Sequence, residues 1–391
     1  MNADTNDHLR LLTIGNYPSD NRPAHQVFVR ALLREMVAMC VDVSVVAPEP
    51  MWNLVKAKTG FRLAPRFERR DGIPVHRPRY LTYSTIASSL GSGTRSWSVN
   101  AHVRAVLREA KKLSGPFDLC YGHFLYPQGF AAAEVGDALG IPAVVSLGES
   151  SFSRYENAFD RDDISRLLGR FAGVIANSPM IKEHCVQNYG LPEEKVRVFP
   201  NGVNEQHFYP RDRQLARQAC GLPLDRPIVV FVGQLIERKG PLRVLEAIRS
   251  RPEIGAVFLG DGPQAPKGAQ VLYQGSVPHE QIPLWLSAAD MFVLPTLDEG
   301  CSNAILEALF CGLPVVSSDL PFNRGVIDEH VALLVDPRDV RALGQAIATL
   351  VDHPERRAEM SRAALRRSQS FHLADRASRI LAFLQDIVLR Q

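Results

Sequence analysis

Short runs of β-branched and other apolar residues recur along the chain, and stretches with apolar positions at helical spacing lie between them. LRLLTIG is followed by VRALLREMVAMC and then VDVSVVAP, while IPAVVSL, GVIANS and VRVFP come later. Strands alternating with helices build a parallel sheet covered on both faces, which is why its strands read as near-continuous apolar runs. The pattern restarts after residue 210 with PIVVFVG, the helical LRVLEAIRS, AVFLG, ADMFVLP and LPVVSS. The expected fold class is α/β, with two doubly wound, Rossmann-like domains and a cleft between them. NGVNEQHFYPRDR, polar and containing Gly and Pro, suits a linker. The N-terminal domain is therefore placed at residues 1–207 and the C-terminal one at 208–370. The closing segment, 371–391, has Ile380, Leu381, Phe383, Leu384, Ile387 and Val388 on a mostly one-sided helical face, and it is expected to pack back on the first domain.

Composition supports this division. A chain of 391 residues suits two domains, and 46% hydrophobic with 22% charged residues is the balance of a packed globular protein. The formal charge of +3 gives no argument for nucleic acid. Six cysteines lie far apart, with neither a C-x-x-C pair nor zinc-ligand spacing, and read as reduced thiols. The opening MNADTNDHLRLLTIG lacks a basic, apolar leader, and no run nears the roughly 18 apolar residues of a membrane span, so a cytoplasmic location is expected. Residues 51–83 differ in texture. Lys56, Lys58, Arg62, Arg66, Arg69, Arg70, Arg77 and Arg79 face only Glu68 and Asp71 there, interleaved with Trp52, Phe61, Phe67, Tyr80 and Tyr83. A basic and aromatic segment of this kind suits peripheral attachment to an anionic surface at the inner membrane face, or equally a solvated loop whose arginines keep it soluble.

The chemistry concentrates in LPTLDEGCSNAILEALFCGLPVVSS, residues 294–318. A strand ends at Pro295, a turn holds Glu299 and Gly300, and a helix begins near Asn303 and stops at Gly312. Ser302 or Asn303 can cap this helix, and the free N–H groups of its first turn suit phosphate or sugar hydroxyls. Glu307 lies one turn beyond Asn303 in an apolar helix, where an unpaired carboxylate is costly, and a ribose diol is a natural partner for it. VGQLIERKG, residues 232–240, forms a second strand–loop–helix with Arg238 and Lys239 at its mouth, cations of the kind a diphosphate requires.

Together these residues resemble glycosyltransferase family 4, the retaining GT-B enzymes, over nearly the whole chain. The acidic motif corresponds to Glu299 through Glu307, and the G-x-L-x-x-x-K-G loop to Gly233, Leu235, Lys239 and Gly240. The P-N-G-V joint is Pro200 to Val203, the G-D-G-P turn is Gly260 to Pro263, and GHFLYPQG matches H-x-x-x-P-x-G. The resemblance implies a donor site of Gly233, Arg238, Lys239, Gly300, Cys301, Ser302, Asn303 and Glu307. Lys239 would bind the diphosphate, Glu307 the ribose, Glu299 the sugar hydroxyls, and His123 the transferred sugar; His123, Arg238, Lys239 and Glu299 form the expected catalytic set. It implies a nucleotide-sugar co-substrate, a glycan or lipid-linked acceptor, and neither cofactor nor metal. The family commonly has Arg where Gln234 stands, leaving Arg238 as the candidate substitute, and its first-loop glycine pair is Ala24 and His25 here. GDGPQA formally fits a dinucleotide fingerprint, but Pro263 and Pro266 oppose the helix it needs. Asp160 and Asp162 have a metal-motif spacing, yet they precede ISRLLGRF and read as a helix start. Two other functions remain open: a nucleotide-sugar epimerase of GT-B fold and a non-catalytic partner subunit.

Overall fold

The computed structural model describes residues 8–22, 26–51, 63–81, 93–113, 115–149, 152, 156 and 159–391, with side chains from 97 onward in the segment that begins at 93. Ala24, His25, Trp52, Lys56, Lys58, Phe61, Arg62 and Tyr83 lie outside these residues. The chain divides into two units, Met1–Phe199 with Ala377–Gln391, and Pro200–Arg376.

In the first unit the strands are β1 (Arg10–Ile14), β2 (Asp42–Val46), β3 (Glu49–Pro50), β4 (Phe67–Arg70), β5 (Ile73–His76), β6 (Arg79–Tyr80), β7 (Leu119–His123), β8 (Ala143–Leu147), β9 (Gly173–Ala176) and β10 (Val196–Val198). Eight of them form one sheet in the order β10-β9-β8-β7-β1-β2-β5-β4. All neighbours are parallel except the β4–β5 pair. Every residue of β7 and β8 is buried, as a strand covered on both faces requires.

Part of the basic segment, residues 67–76, is regular structure. Phe67–Arg70 pairs antiparallel with Ile73–His76 as a hairpin. Its turn residues Asp71 and Gly72 have φ values of 55° and 79°, the left-handed pair favoured by Asp-Gly. The charges here guard a sheet edge against further strand pairing. Two of the arginines are also used internally. Arg70 pairs with Asp20 and Glu68, and the buried Arg77 pairs with Glu68 and donates to the carbonyls of Tyr17 and Pro18. Burial and the Asp71 charge raise the neighbouring Tyr17 phenol to about 12, so it stays protonated.

The helix Leu373–Leu389 closes the first unit, with Ala377, Ile380, Leu384 and Ile387 in one core with Phe199, Tyr121, Val144 and Ile175. It crosses β9 closely: a Cβ on Gly173 would lie 2.7 Å from both Ile387 and Phe383. The join between units falls at Pro200 rather than near Phe208. Val203 and Phe208 belong to the second core, and Val203 exchanges backbone hydrogen bonds with Phe371 and Leu373.

The second unit carries β11 (Ile228–Val232), β12 (Gly255–Leu259), β13 (Val271–Gly275), β14 (Met291–Leu294), β15 (Val315–Ser318) and β16 (Ala332–Val335). They form one parallel sheet in the order β13-β12-β11-β14-β15-β16. In such a sheet the connections from neighbouring central strands run to opposite sides, and the crevice beyond their carboxyl ends is where ligands bind. That switch lies between β11 and β14 in this unit and between β1 and β7 in the first. A buried anchor sets the entry to β11. Asp290 accepts from Ile228 N at 2.8 Å, Arg217 Nη2 at 2.7 Å and Arg213 Nη1 at 2.7 Å. GDGPQA follows β12 as a turn leading to another strand, with no helix, and Asp160 is the N-cap position of the helix Arg161–Arg170.

Candidate functional site

The loops that leave β11 and β14 meet at the second unit's switch point. Leu297 N donates to Arg238 O at 2.8 Å and Thr296 Oγ1 to the same carbonyl at 3.3 Å, which zips the two loops together. On the other side the β11 loop lies against the turn after β12, where Leu235 N donates to Asp261 O at 2.9 Å and Gln264 N to Leu235 O at 2.8 Å. The approach is too close for side chains: a Cβ on Gly260 would stand 1.9 Å from Gly233 O, and one on Gly262 2.3 Å from Leu235 O. The G-D-G-P turn is thus a backbone spacer that fixes the Gly233 loop. Buried serines of β15 hold the end of β14, with Ser317 Oγ donating to Leu294 O at 2.8 Å and Ser318 Oγ to Thr296 O.

This frame brings three predicted side chains together. Lys239 Nζ is ion-paired with Glu299 Oε1, and Arg238 Nη1 lies 3.6 Å from the same oxygen. Arg238 also donates to Asp298 O, and Thr296 Oγ1 lies 3.3 Å from Glu299 Oε1, sharing its one proton between that oxygen and Arg238 O. The side chains of Lys239 and Glu299 are 13% and 10% exposed, so the pair is shielded and strong electrostatically. Gln234, by contrast, is exposed.

Ser302 is the N-cap of the helix Asn303–Phe310, its hydroxyl accepting from Ile305 N at 3.4 Å. Asn303 Oδ1, in the first turn of the same helix, is buried and has no hydrogen-bond partner among the described residues. Cys301 is buried, and burial pushes its thiol up to about 11, so it contributes backbone and packing rather than a nucleophilic thiolate. Its carbonyl accepts from Asn201 Nδ2 at 3.1 Å, which explains why an asparagine of the P-N-G-V joint belongs to this site.

Glu307 is satisfied within the chain, a point its sequence context did not reveal. His279 Nε2 lies 3.1 Å from Glu307 Oε1, and the Glu307 side chain is 12% exposed. Burial disfavours the charged imidazole, but the hydrogen bond and charge of Glu307, together with Glu280, outweigh it and raise the His279 pKa. His207 stacks on His279 at 5.9 Å and Phe208 meets it edge-on at 5.4 Å. No sequence spacing links residues 279 and 307, so only the fold could pair them.

In the first unit His123 ends β7 at the other switch point and is buried. Its Nδ1 lies 3.5 Å from Tyr121 Oη, and Phe28 and Phe124 flank the ring at 5.5 and 4.9 Å. Phe124 has φ 70°, a strained conformation of the kind found where function requires it. Glu149 fastens the turn beyond, accepting from Leu125 N at 2.6 Å and Gly148 N at 2.8 Å. Neither Phe28 nor Glu149 stood out in the sequence.

Two Rossmann-like units with ligand-ready switch points define a GT-B glycosyltransferase fold. Residues 25–207 match the model described as Glycosyltransferase Family 4, and residues 212–367 the one described as Glycosyl transferases group 1. The glycosyltransferase TuaC of Bacillus subtilis (strain 168), named for teichuronic acid biosynthesis, is 32% identical over 356 residues, covering 87% of this chain and 88% of the relative. A D-inositol 3-phosphate glycosyltransferase of Acidothermus cellulolyticus is 27% identical over 322 residues, 73% of this chain and 71% of the relative. The chain belongs to glycosyltransferase family 4. Among solved structures, sucrose-phosphate synthase of Thermosynechococcus elongatus superposes with a TM-score of 0.77 at 20% identity, covering 98% of this chain and 100% of the other. Anabaena HepE in complex with UDP-glucose gives 0.73 at 18% identity, covering 97% and 100%. At these identities the two structures speak to the fold.

Proposed function

We propose that this glycosyltransferase moves a hexosyl group from a nucleotide-sugar donor to a hydroxyl of a glycan or lipid-linked acceptor, with retention of configuration and without a metal. The observation that carries the reading is the cluster of Lys239, Arg238 and Glu299 at the switch point, beside a capped helix N-terminus whose Asn303 Oδ1 has no partner among the described residues. A nucleoside diphosphate carries more charge than one carboxylate and competes for Lys239. Glu299, released, then accepts hydrogen bonds from the sugar's hydroxyls together with Asn303, and Glu307 does so from the ribose hydroxyls. As the glycosidic bond breaks, charge grows on the diphosphate, where Lys239, Arg238 and the helix N-terminus stabilise it. The acceptor hydroxyl attacks the face from which the diphosphate leaves and gives its proton to the departing diphosphate oxygen, which yields retention, and the family resemblance assigns His123 to the transferred sugar. The Anabaena neighbour's complex with UDP-glucose supports a nucleotide-sugar donor.

No helix among the described residues is long and apolar enough to cross a membrane. We assign peripheral attachment to the exposed Arg66, Phe67 and Arg69. Sedimentation with anionic vesicles that salt weakens, and that Arg66→Glu/Arg69→Glu abolishes, is the expected behaviour.

The reading is tested with a panel of UDP, GDP and ADP sugars. A ligand at a hundredfold excess over its Kd adds about 2.7 kcal/mol to stability, so the correct donor raises the melting temperature visibly. Product NMR with that donor should then show the donor's own anomeric configuration. An inverted product removes the retaining mechanism. Isomerised free nucleotide sugar formed without acceptor replaces transfer by epimerisation, and a panel without any shift removes the donor site.

A further inference from the structure

A cavity of about 540 Å³ lies in the first unit between β6 and the helix Gly93–Ala110. This is the size of a small-molecule site. Arg79, Tyr80, Trp97, Asn100, Arg104 and Arg108 line it. Trp97, Asn100, Arg104 and Arg108 fall at spacings of three or four, so one helix face presents all of them. Arg104 and Arg108 are exposed and form no salt bridge among the described residues, while Arg79 stands opposite Glu49 in the β3–β6 pair and interacts with its charge. Arg79 Nε is buried without a hydrogen bond. Glu109, the acid next in sequence, is turned to His76 at 3.4 Å and Lys112 at 3.4 Å. His102 meets Tyr80 edge-on at 5.1 Å, buried and with neither ring nitrogen partnered among the described residues. Burial lowers the His102 pKa to about 4, leaving it neutral, so the cavity's charge comes from the arginines.

Arg104 and Arg108 lie one helical turn apart, where like charges repel, and Arg79 Nε is buried beside them, so the cavity concentrates positive charge and an entering anion relieves that repulsion. Guanidinium groups match phosphate oxygens two at a time. Trp97, 66% exposed, offers a flat apolar face at the rim, and Asn100 supplies both a donor and an acceptor. We propose that this cavity binds the phosphate group of a phosphorylated sugar acceptor, with Trp97 against the sugar or its lipid. The assignment rests on the transferase reading above, whose acceptor class it narrows.

The test uses the full-length protein and two probes, glucose 1-phosphate and geranyl diphosphate, followed by the change in tryptophan emission that Trp97→Phe removes. Both should bind, and Arg104→Ala/Arg108→Ala should weaken binding at least tenfold while melting like the wild type. Arg104→Lys/Arg108→Lys should weaken it less, because charge is kept and the two-pronged geometry lost. Tighter binding of geranyl diphosphate would mark a lipid-linked acceptor, and tighter binding of glucose 1-phosphate a soluble one. Equal affinity in the wild type and the alanine pair overturns the proposal. So does wild-type protein that ignores both probes yet loses phosphatidylglycerol vesicles with the same alanines, since the arginines would then serve a membrane surface. UDP-glucose binding, measured in parallel by calorimetry, separates the two readings. If it is present and the phosphate probes fail, the cavity assignment alone falls; if it is absent, the donor reading falls whatever Arg104 and Arg108 do.

Discussion

Replacing Lys239 with Ala removes the cation paired with Glu299 and, on the proposed mechanism, the charge that meets the leaving diphosphate. Breaking a buried ion pair by deleting one partner costs about 3–5 kcal/mol when the remaining charge is left alone. Glu299 would not be alone here, because Arg238 Nη1 is 3.6 Å away and Thr296 Oγ1 3.3 Å away. The expected loss is therefore nearer one charged hydrogen bond, about 1.5–3 kcal/mol, or a fall of several degrees in the melting temperature of this unit. Turnover should suffer more. A preorganised charge aimed at a developing anion is worth about 100- to 1000-fold in kcat, with a smaller effect on ground-state donor affinity. Initial rates at saturating donor, set beside calorimetric donor affinity and a melt, separate these effects. A variant that kept its kcat and lost only donor affinity would show that Lys239 serves binding alone. One that lost 5 kcal/mol of stability would show that Arg238 does not cover for it.

Glu307→Ala should weaken nucleoside diphosphate binding by about 1–3 kcal/mol with less effect on kcat than Lys239→Ala, and unchanged calorimetric affinity would remove the ribose role. His279 has a folded pKa raised above its ordinary value of 6.5, so its contribution to stability is complete below that pH and is lost as pH rises through the folded value. Urea midpoints of wild type and His279→Gln should thus differ most in mild acid and converge in alkali; a difference that grew with pH would contradict the Glu307 pairing. Gly260→Ala, which puts a Cβ 1.9 Å from Gly233 O, should cost about 1–3 kcal/mol and weaken donor binding by moving the Gly233 loop. Normal urea stability with normal affinity would mean that the spacer contact does not position that loop.

The alternation of apolar runs and helical patterns is a local property, so the sequence was enough to read two parallel α/β sheets. Motifs held within one strand–turn–helix were legible for the same reason: the helix begins at Asn303 with Ser302 as its cap, and Arg238 and Lys239 stand at the mouth of the β11 loop. What the sequence misjudged depended on partners distant along the chain. Arg70 and Arg77 looked like surface charge until the fold set Asp20 and Glu68 beside them, although the Asp71-Gly72 turn was a hairpin signal in plain view. Glu307 seemed to lack a partner because His279 reaches it only through packing. Trp97, Arg104 and Arg108 share one helix face at a spacing legible in the sequence, but that Arg79 and Tyr80 of β6 close a cavity against them is decided only by the fold. Secondary structure follows from backbone and side-chain preferences within a few residues. Charge pairing and cavities depend on which distant groups the packed core brings within a few ångströms, and only the tertiary structure decides that.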